Sequence, residues 1–168
     1  MTTQAADTTA RASVVVDAPL ERAFSVFTDG IDTWWPREHH IGKLPLKKVI
    51  VESKRGGRCY SEQTDGSECD WGSVLVWDPP RRLVFAWKIN GNWEYEPEVA
   101  KSSEVEVRFT PQPDGSTRVD LEHRNFDRLG PAGAAMSAMV ESPQGWGDTL
   151  RLFAETAEKS AAGIPPKG

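Results

Sequence analysis

The sequence predicts an α+β domain: a curved antiparallel sheet of about six to seven strands wrapped around a long C-terminal helix, with two short helices after the first strand. Three observations carry this. From Ser142 onward, Trp146, Leu150, Phe153, Ala154 and Ala157 recur at helical spacing and make one apolar stripe. Between Lys47 and Arg124, short alternating segments are separated by turn-forming residues. Before that run, Pro19 to Phe27 and Ile31 to Pro36 read as two short helical pieces. At 168 residues the chain is long enough for one core and short for two. A single domain is therefore expected over residues 10–161, with 1–9 and 162–168 as tails.

Val14, Val15 and Val16 make a short strand that Asp17-Ala18-Pro19 stops. Pro19 suits the opening of a helix whose buried face is Ala23, Phe24 and Phe27. Asp29-Gly30 turns the chain into the second short helix, which Pro36 ends. The irregular stretch that follows carries Glu38, His39 and His40. Adjacent histidines do not converge on one ion without helical i, i+4 spacing, so no metal site is expected.

Strands then follow at Lys47 to Glu52, Gly57 to Gln63, Trp71 to Trp77 and Arg82 to Ile89, with Asp78-Pro79-Pro80-Arg81 turning between the last two. Leu83, Phe85, Trp87 and Ile89 share one face, with Val74 and Val76 set beside them. Asn90 to Lys101 is a long loop holding Trp93, Tyr95 and three glutamates. Two further strands, Ser103 to Pro111 and Ser116 to Arg124, turn Val105, Val107 and Phe109, then Thr117, Val119, Leu121 and His123, to the interior. Gly130 to Val140, with Met136 and Met139, forms a helical turn or an entrance. Ser142 then caps the last helix and Pro143 occupies its first position.

Charge narrows the function classes. Twenty basic residues against 25 acidic give a net charge of -5 with no basic cluster, which argues against nucleic acid. No run approaches the ~20 apolar residues of a membrane span, and the start lacks the form of a signal peptide, so a cytoplasmic protein is expected. A two-residue turn at Asp65-Gly66 pairs Cys59 with Gly72 and Cys69 with Glu62, which predicts two reduced thiols. A longer loop centred on Thr64 would bring the two together. There is no Gly-x-Ser-x-Gly elbow and no phosphate-cradling loop, since Gly56-Gly57 precedes a strand rather than a helix. Seven tryptophans are many for this length, and large aromatics wall ligand sites as well as fill cores.

Several motifs recur in a known order: Val16-Asp-Ala-Pro-Leu-Glu-Arg-Ala-Phe24, Trp34-Trp35, Arg55-Gly-Gly-Arg58, Gly72 and Asp78-Pro-Pro-Arg-Arg-Leu-Val-Phe-Ala-Trp87. Gly115-Ser-Thr117, Leu121-Glu-His123 and Gly145-Trp146 follow. Together they resemble the bacterial relatives of the C-terminal domain of the Hsp90 ATPase activator, within the START and Bet v 1-like helix-grip (SRPBCC) superfamily. The resemblance spans nearly the whole domain. It implies an internal cavity between sheet and last helix that takes lipids or other apolar or aromatic small molecules, and it brings no shared catalytic set or cofactor. A chaperone partner is its second implication.

The expected function is therefore non-catalytic binding of a small hydrophobic or aromatic molecule, with no cofactor. The expected lining is Phe27, Trp35, Val74, Phe85, Trp87, Val107, His123, Met136, Met139, Trp146, Leu150 and Phe153, with Tyr60 as a polar handle. A polyketide-type cyclase or a hydrolase using His123 as acid or base is the enzymatic alternative. A protein that stimulates a chaperone ATPase is the third.

Overall fold

The computed structural model describes residues 9–35, 46–89, 95–141 and 143–162. The expectations for Glu38, His39 and His40, for Trp93, for the Ser142 cap and for most of both tails lie outside these residues. The elements are β1 (Ala10–Val16), α1 (Leu20–Thr28), β2 (Leu46–Val51), β3 (Arg58–Gln63), β4 (Glu68–Asp78), β5 (Arg82–Trp87), β6 (Ser103–Pro111), β7 (Thr117–Arg124), α2 (Gly133–Glu141) and α3 (Asp148–Ala162). A single tight helical turn, Ile31–Thr33, stands where the second short helix was expected.

The strands form one antiparallel sheet in the order β1-β7-β6-β5-β4-β3-β2. From β2 onward each strand pairs with the next, so local hairpins build most of the sheet. Only β1 breaks this order. It pairs along β7, Ala10 opposite His123 and Val16 opposite Thr117, while α1 carries the chain across to the far edge. This architecture is the expected helix-grip arrangement.

Side-chain parity follows the period of two. Val105, Val107 and Phe109 face inward opposite His123, Leu121 and Val119. Glu106 faces the other way, yet its side chain is only 4 % exposed because Arg82, Arg108 and Arg124 close over it. Burial pushes its carboxyl up, but hydrogen bonds from Arg108, Arg124 and Arg82 overcome that and bring it down to about 2.

Helix α3 lies on the inner face and buries Leu150, Phe153, Ala154 and Ala157. Phe153 meets Phe27 of α1 at 5.1 Å and Trp34 at 5.4 Å between ring centroids, and Phe27 meets Phe109 of β6 at 5.7 Å. Burying each such side chain contributes roughly 1.5–3 kcal/mol, enough to make packing rather than helix propensity the reason α3 forms. Among the described residues no helix is long and apolar enough to cross a membrane.

Two departures from the sequence reading matter. The last helix starts at Asp148, not at Ser142, because a wide turn, Pro143–Gly147, precedes it. Gly145 inside that turn is non-helical (φ -92, ψ -123), and a Cβ there would overlap the Val140 carbonyl oxygen. Trp146 therefore projects from the turn instead of from the helical stripe. Strand β4 is also irregular: its register against β3 shifts between Cys59 and Tyr60, so Trp71 is an extra residue in the ladder. This bulge turns Trp71 inward, where simple alternation from Val74 had left it outside.

Candidate functional site

The interior has two tiers. The lower one is hydrocarbon: Phe24, Phe27, Phe109 and Phe153 pack with Trp34, whose Nε1–H is satisfied by the Val26 carbonyl at 2.8 Å. The upper tier holds Trp35, Trp71, Trp87, Trp146, His123 and Phe126, and it mixes aromatic faces with polar atoms.

Trp35 and Trp71 stack with planes 14° apart and centroids at 5.8 Å. Trp87 touches Trp71 at 5.9 Å, Trp146 at 5.5 Å and His123 at 5.3 Å. The family resemblance implies a cavity between the sheet and the last helix. In the described part of the layer ring meets ring instead.

His123 is fully buried and tied at both nitrogens. Trp146 Nε1–H donates to Nδ1 at 3.0 Å, and Nε2 lies 2.7 Å from Ser103 Oγ. Indole nitrogen only donates, so Nδ1 carries a lone pair and the single imidazole proton sits on Nε2, donated to Ser103. Burial pushes the imidazole down to about 3, which keeps it neutral. Its one basic lone pair is already occupied, so it is not poised as a general base. Asn125, in the left-handed conformation (φ 66), ends β7 and folds Phe126 back over the His123 ring at 4.4 Å.

Among the described residues, one buried polar atom in this tier has no partner. Trp87 is 6 % exposed, and its Nε1–H meets no acceptor among the described residues. A buried donor left unpaired costs about 1–3 kcal/mol, so it calls for an explanation.

Of the expected lining, Phe27, Trp35, Val74, Phe85, Trp87, Val107, His123, Met136, Trp146, Leu150 and Phe153 are buried in the interior. Two residues are corrected. Tyr60 alternates to the outer face of β3, opposite in sense to buried Cys59 and Ser61, and Arg58 sits 4.1 Å over its ring. Met139 is 50 % exposed because Met136, Ser137 and Val140 define the buried arc of α2, and Met139 points about 100° away from its centre. Sequence reasoning missed Trp71, which the bulge conceals, and Ser103, which looks like an ordinary strand start. For Ser103 the available signal was its inward parity with Val105.

Cys59 pairs with Gly72 as expected, but the bulge sets Cys69 opposite Ser61, not Glu62. The two thiols are not bonded. Among the described residues no three His, Cys, Asp or Glu side chains converge as metal ligands. An outer concavity of about 370 Å³ between β1, β7 and β6 is lined by Arg11, Arg108, Arg118, Glu106, Asp120 and Glu122, whose charges pair with one another.

The chain matches the family "Activator of Hsp90 ATPase homolog 1-like protein" over residues 17–158. No curated protein matches it. Among solved structures it is 39% identical to an anthrahydroquino-γ-pyrone synthase, Txn09, solved in complex with SUM, covering 88% of this chain and 95% of that one at a TM-score of 0.62. It is 31% identical to CalC, a self-sacrificing resistance protein from Micromonospora echinospora, over 94% of this chain and 99% of that one, at a TM-score of 0.67. An AHSA1-like protein from Aeromonas hydrophila, 18% identical, shares the fold over 94% of this chain and 99% of that one, at a TM-score of 0.56. With the family match running from the end of β1 nearly to the end of α3, this chain belongs to the Activator of Hsp90 ATPase homolog 1-like family.

Proposed function

We propose that this protein binds a small fused-ring aromatic ketone or quinone in the tryptophan layer between sheet and α3, without transforming it. The observation that carries the reading is the unpartnered, buried Trp87 Nε1–H. A ligand carbonyl would satisfy that donor while its flat body lay against indole faces. The parallel Trp35–Trp71 pair supports a stacking position for it: a planar guest takes the place of the Trp35 ring against Trp71. Binding is thus coupled to displacement of Trp35.

The relatives above 30% identity support the ligand chemistry. One is named as a synthase of a fused-ring, oxygen-bearing product and the other as a resistance protein. The first also favours a second reading, ring-forming chemistry in the same layer. In that reading His123 orients groups and does not abstract protons, because Trp146 occupies its lone pair.

Fluorenone, a rigid tricyclic ketone with one oxygen, is a suitable probe. Titration followed by tryptophan fluorescence and equilibrium dialysis is expected to give saturable binding of one equivalent. Trp87→Phe, which keeps a ring and removes the donor, is expected to weaken binding about tenfold. A signal that never saturates, or equal affinity for the variant, rules the reading out. Recovery of a chemically altered probe would favour the second reading.

A further inference from the structure

The hydrogen-bond directions around His123 leave a second donor in the same tier. Trp146 Nε1–H can only donate, and it points at Nδ1, so the imidazole proton is on Nε2 and Ser103 Oγ accepts it. The Ser103 hydroxyl proton is not used in that bond. It has no other acceptor among the described residues, and Ser103 is fully buried.

Ser103 and Trp87 are directly opposite each other across the β5–β6 ladder. Side chains at opposed positions stand on one face of a sheet with Cβ atoms about 4.5–5.5 Å apart. His123 touches both: its ring lies 5.3 Å from that of Trp87, and its Nε2 lies 2.7 Å from Ser103 Oγ. Among the described residues, two buried donors without acceptors therefore sit side by side in this aromatic layer.

We infer that Ser103 Oγ–H and Trp87 Nε1–H form a two-donor subsite for one oxygen atom of an aromatic ketone, holding its carbonyl polarised. This rests on the binding reading above and specifies which ligand atom the site recognises. A carbonyl oxygen has two lone pairs and accepts both donors; an ether oxygen is a poorer acceptor and an aromatic hydrocarbon offers none. Selectivity for ketones and quinones over hydrocarbons of the same shape follows, because only they relieve both unpaired groups. Trp146 and His123 are positioning residues here. Trp146 fixes the imidazole tautomer, and the tautomer turns the serine into a donor towards the ligand.

The test is the carbonyl stretching band of bound fluorenone in difference infrared spectra. In the wild-type protein the band is expected below its position in an alkane solvent, by more than a single alcohol donor produces. Ser103→Ala and Trp87→Phe should each return part of that shift, and the double variant should return nearly all of it. Ser103→Thr, which keeps the hydroxyl, should restore it. Fluorene, the same skeleton without oxygen, should bind at least about tenfold more weakly than fluorenone.

Ser103→Ala leaves the His123 Nε2–H without its acceptor. If that variant does not fold, Ser103→Cys, which retains an acceptor but only a weak donor, is expected to shift the band in the same direction. A bound fluorenone whose band stays at the alkane position, or is unmoved by the Ser103 variants, overturns the two-donor subsite and leaves the binding reading standing. No binding of fluorenone at all overturns both.

Discussion

The buried imidazole makes a quantitative demand on how stability varies with pH. His123 is held neutral, with its basicity pushed down to about 3 from an ordinary 6.5 by burial. A group whose folded value is depressed costs nothing above its unfolded value. Below it the unfolded chain takes up a proton that the folded chain refuses, so stability falls as pH drops from 6.5 towards 3. At 1.36 kcal/mol per unit, the loss attributable to His123 is about 2 kcal/mol between about pH 7.5 and pH 5, with a ceiling near 5 kcal/mol once the folded form titrates.

The control is His123→Gln, whose amide supplies one acceptor for Trp146 and one donor for Ser103 but does not titrate in this range. Urea unfolding of both proteins at the two pH values gives the comparison. Every carboxylate and the remaining histidines are common to both chains and cancel. The wild type is expected to lose about 2 kcal/mol more than the variant. Parallel behaviour of the two would mean that His123 protonates as readily folded as unfolded, and the tautomer drawn above would be wrong.

Other outcomes follow from the same contacts. Trp146→Phe should destabilise by about 1–3 kcal/mol more than Trp87→Phe in urea, because the first strands the buried Nδ1 while the second removes a donor that meets no acceptor among the described residues. Gly72→Ala places a Cβ against the Ala86 carbonyl oxygen in the β4–β5 ladder and should cost about 2–3 kcal/mol in thermal or chemical unfolding. The Glu106 carboxylate, held at about 2, stabilises the fold above its unfolded value of 4.5 and loses that contribution as pH falls from there to 2; Glu106→Gln should flatten this acid limb, read by circular dichroism. Burial pushes both thiols up, but Cys59 is fully enclosed and Cys69 partly exposed, so an alkylating reagent followed by mass mapping should modify Cys69 first.

Most of the architecture was legible because it rests on periodicity. The alternation of Val105, Val107 and Phe109 against Glu104, Glu106 and Arg108 placed β6 and its faces correctly, and the same reasoning put His123 inside. What escaped was every feature in which the backbone leaves its period. The turn at Gly145 moved the start of α3 past Trp146, and the extra residue in β4 reversed the side of Trp71. Tyr60 illustrates a different failure. A polar-tipped aromatic in a strand suits either face, and the burial of Cys59 and Ser61 decided for the outer one. The burial of most of the expected lining was readable from residue types, but the bonds among those residues were not. That Ser103 accepts from His123, and that Trp87 Nε1–H meets no acceptor among the described residues, depends on directions in space that no spacing rule encodes.

The irregular ladder of β4 has a consequence for how this fold can diversify. In a regular strand, bringing an indole to the concave side exiles both of its chain neighbours to the convex side, so changing one position alters the chemistry of the flanks. Here Trp71 and Gly72 are both inside, and the ladder resumes on either side of them. Position 71 can therefore exchange one large ring for another without disturbing how the sheet closes, whereas position 72 tolerates nothing beyond hydrogen. Loss of Asp70 would set Trp71 opposite Tyr60 in an unbroken ladder and drive its ring out to the convex side, emptying one wall of the layer while every other strand kept its place.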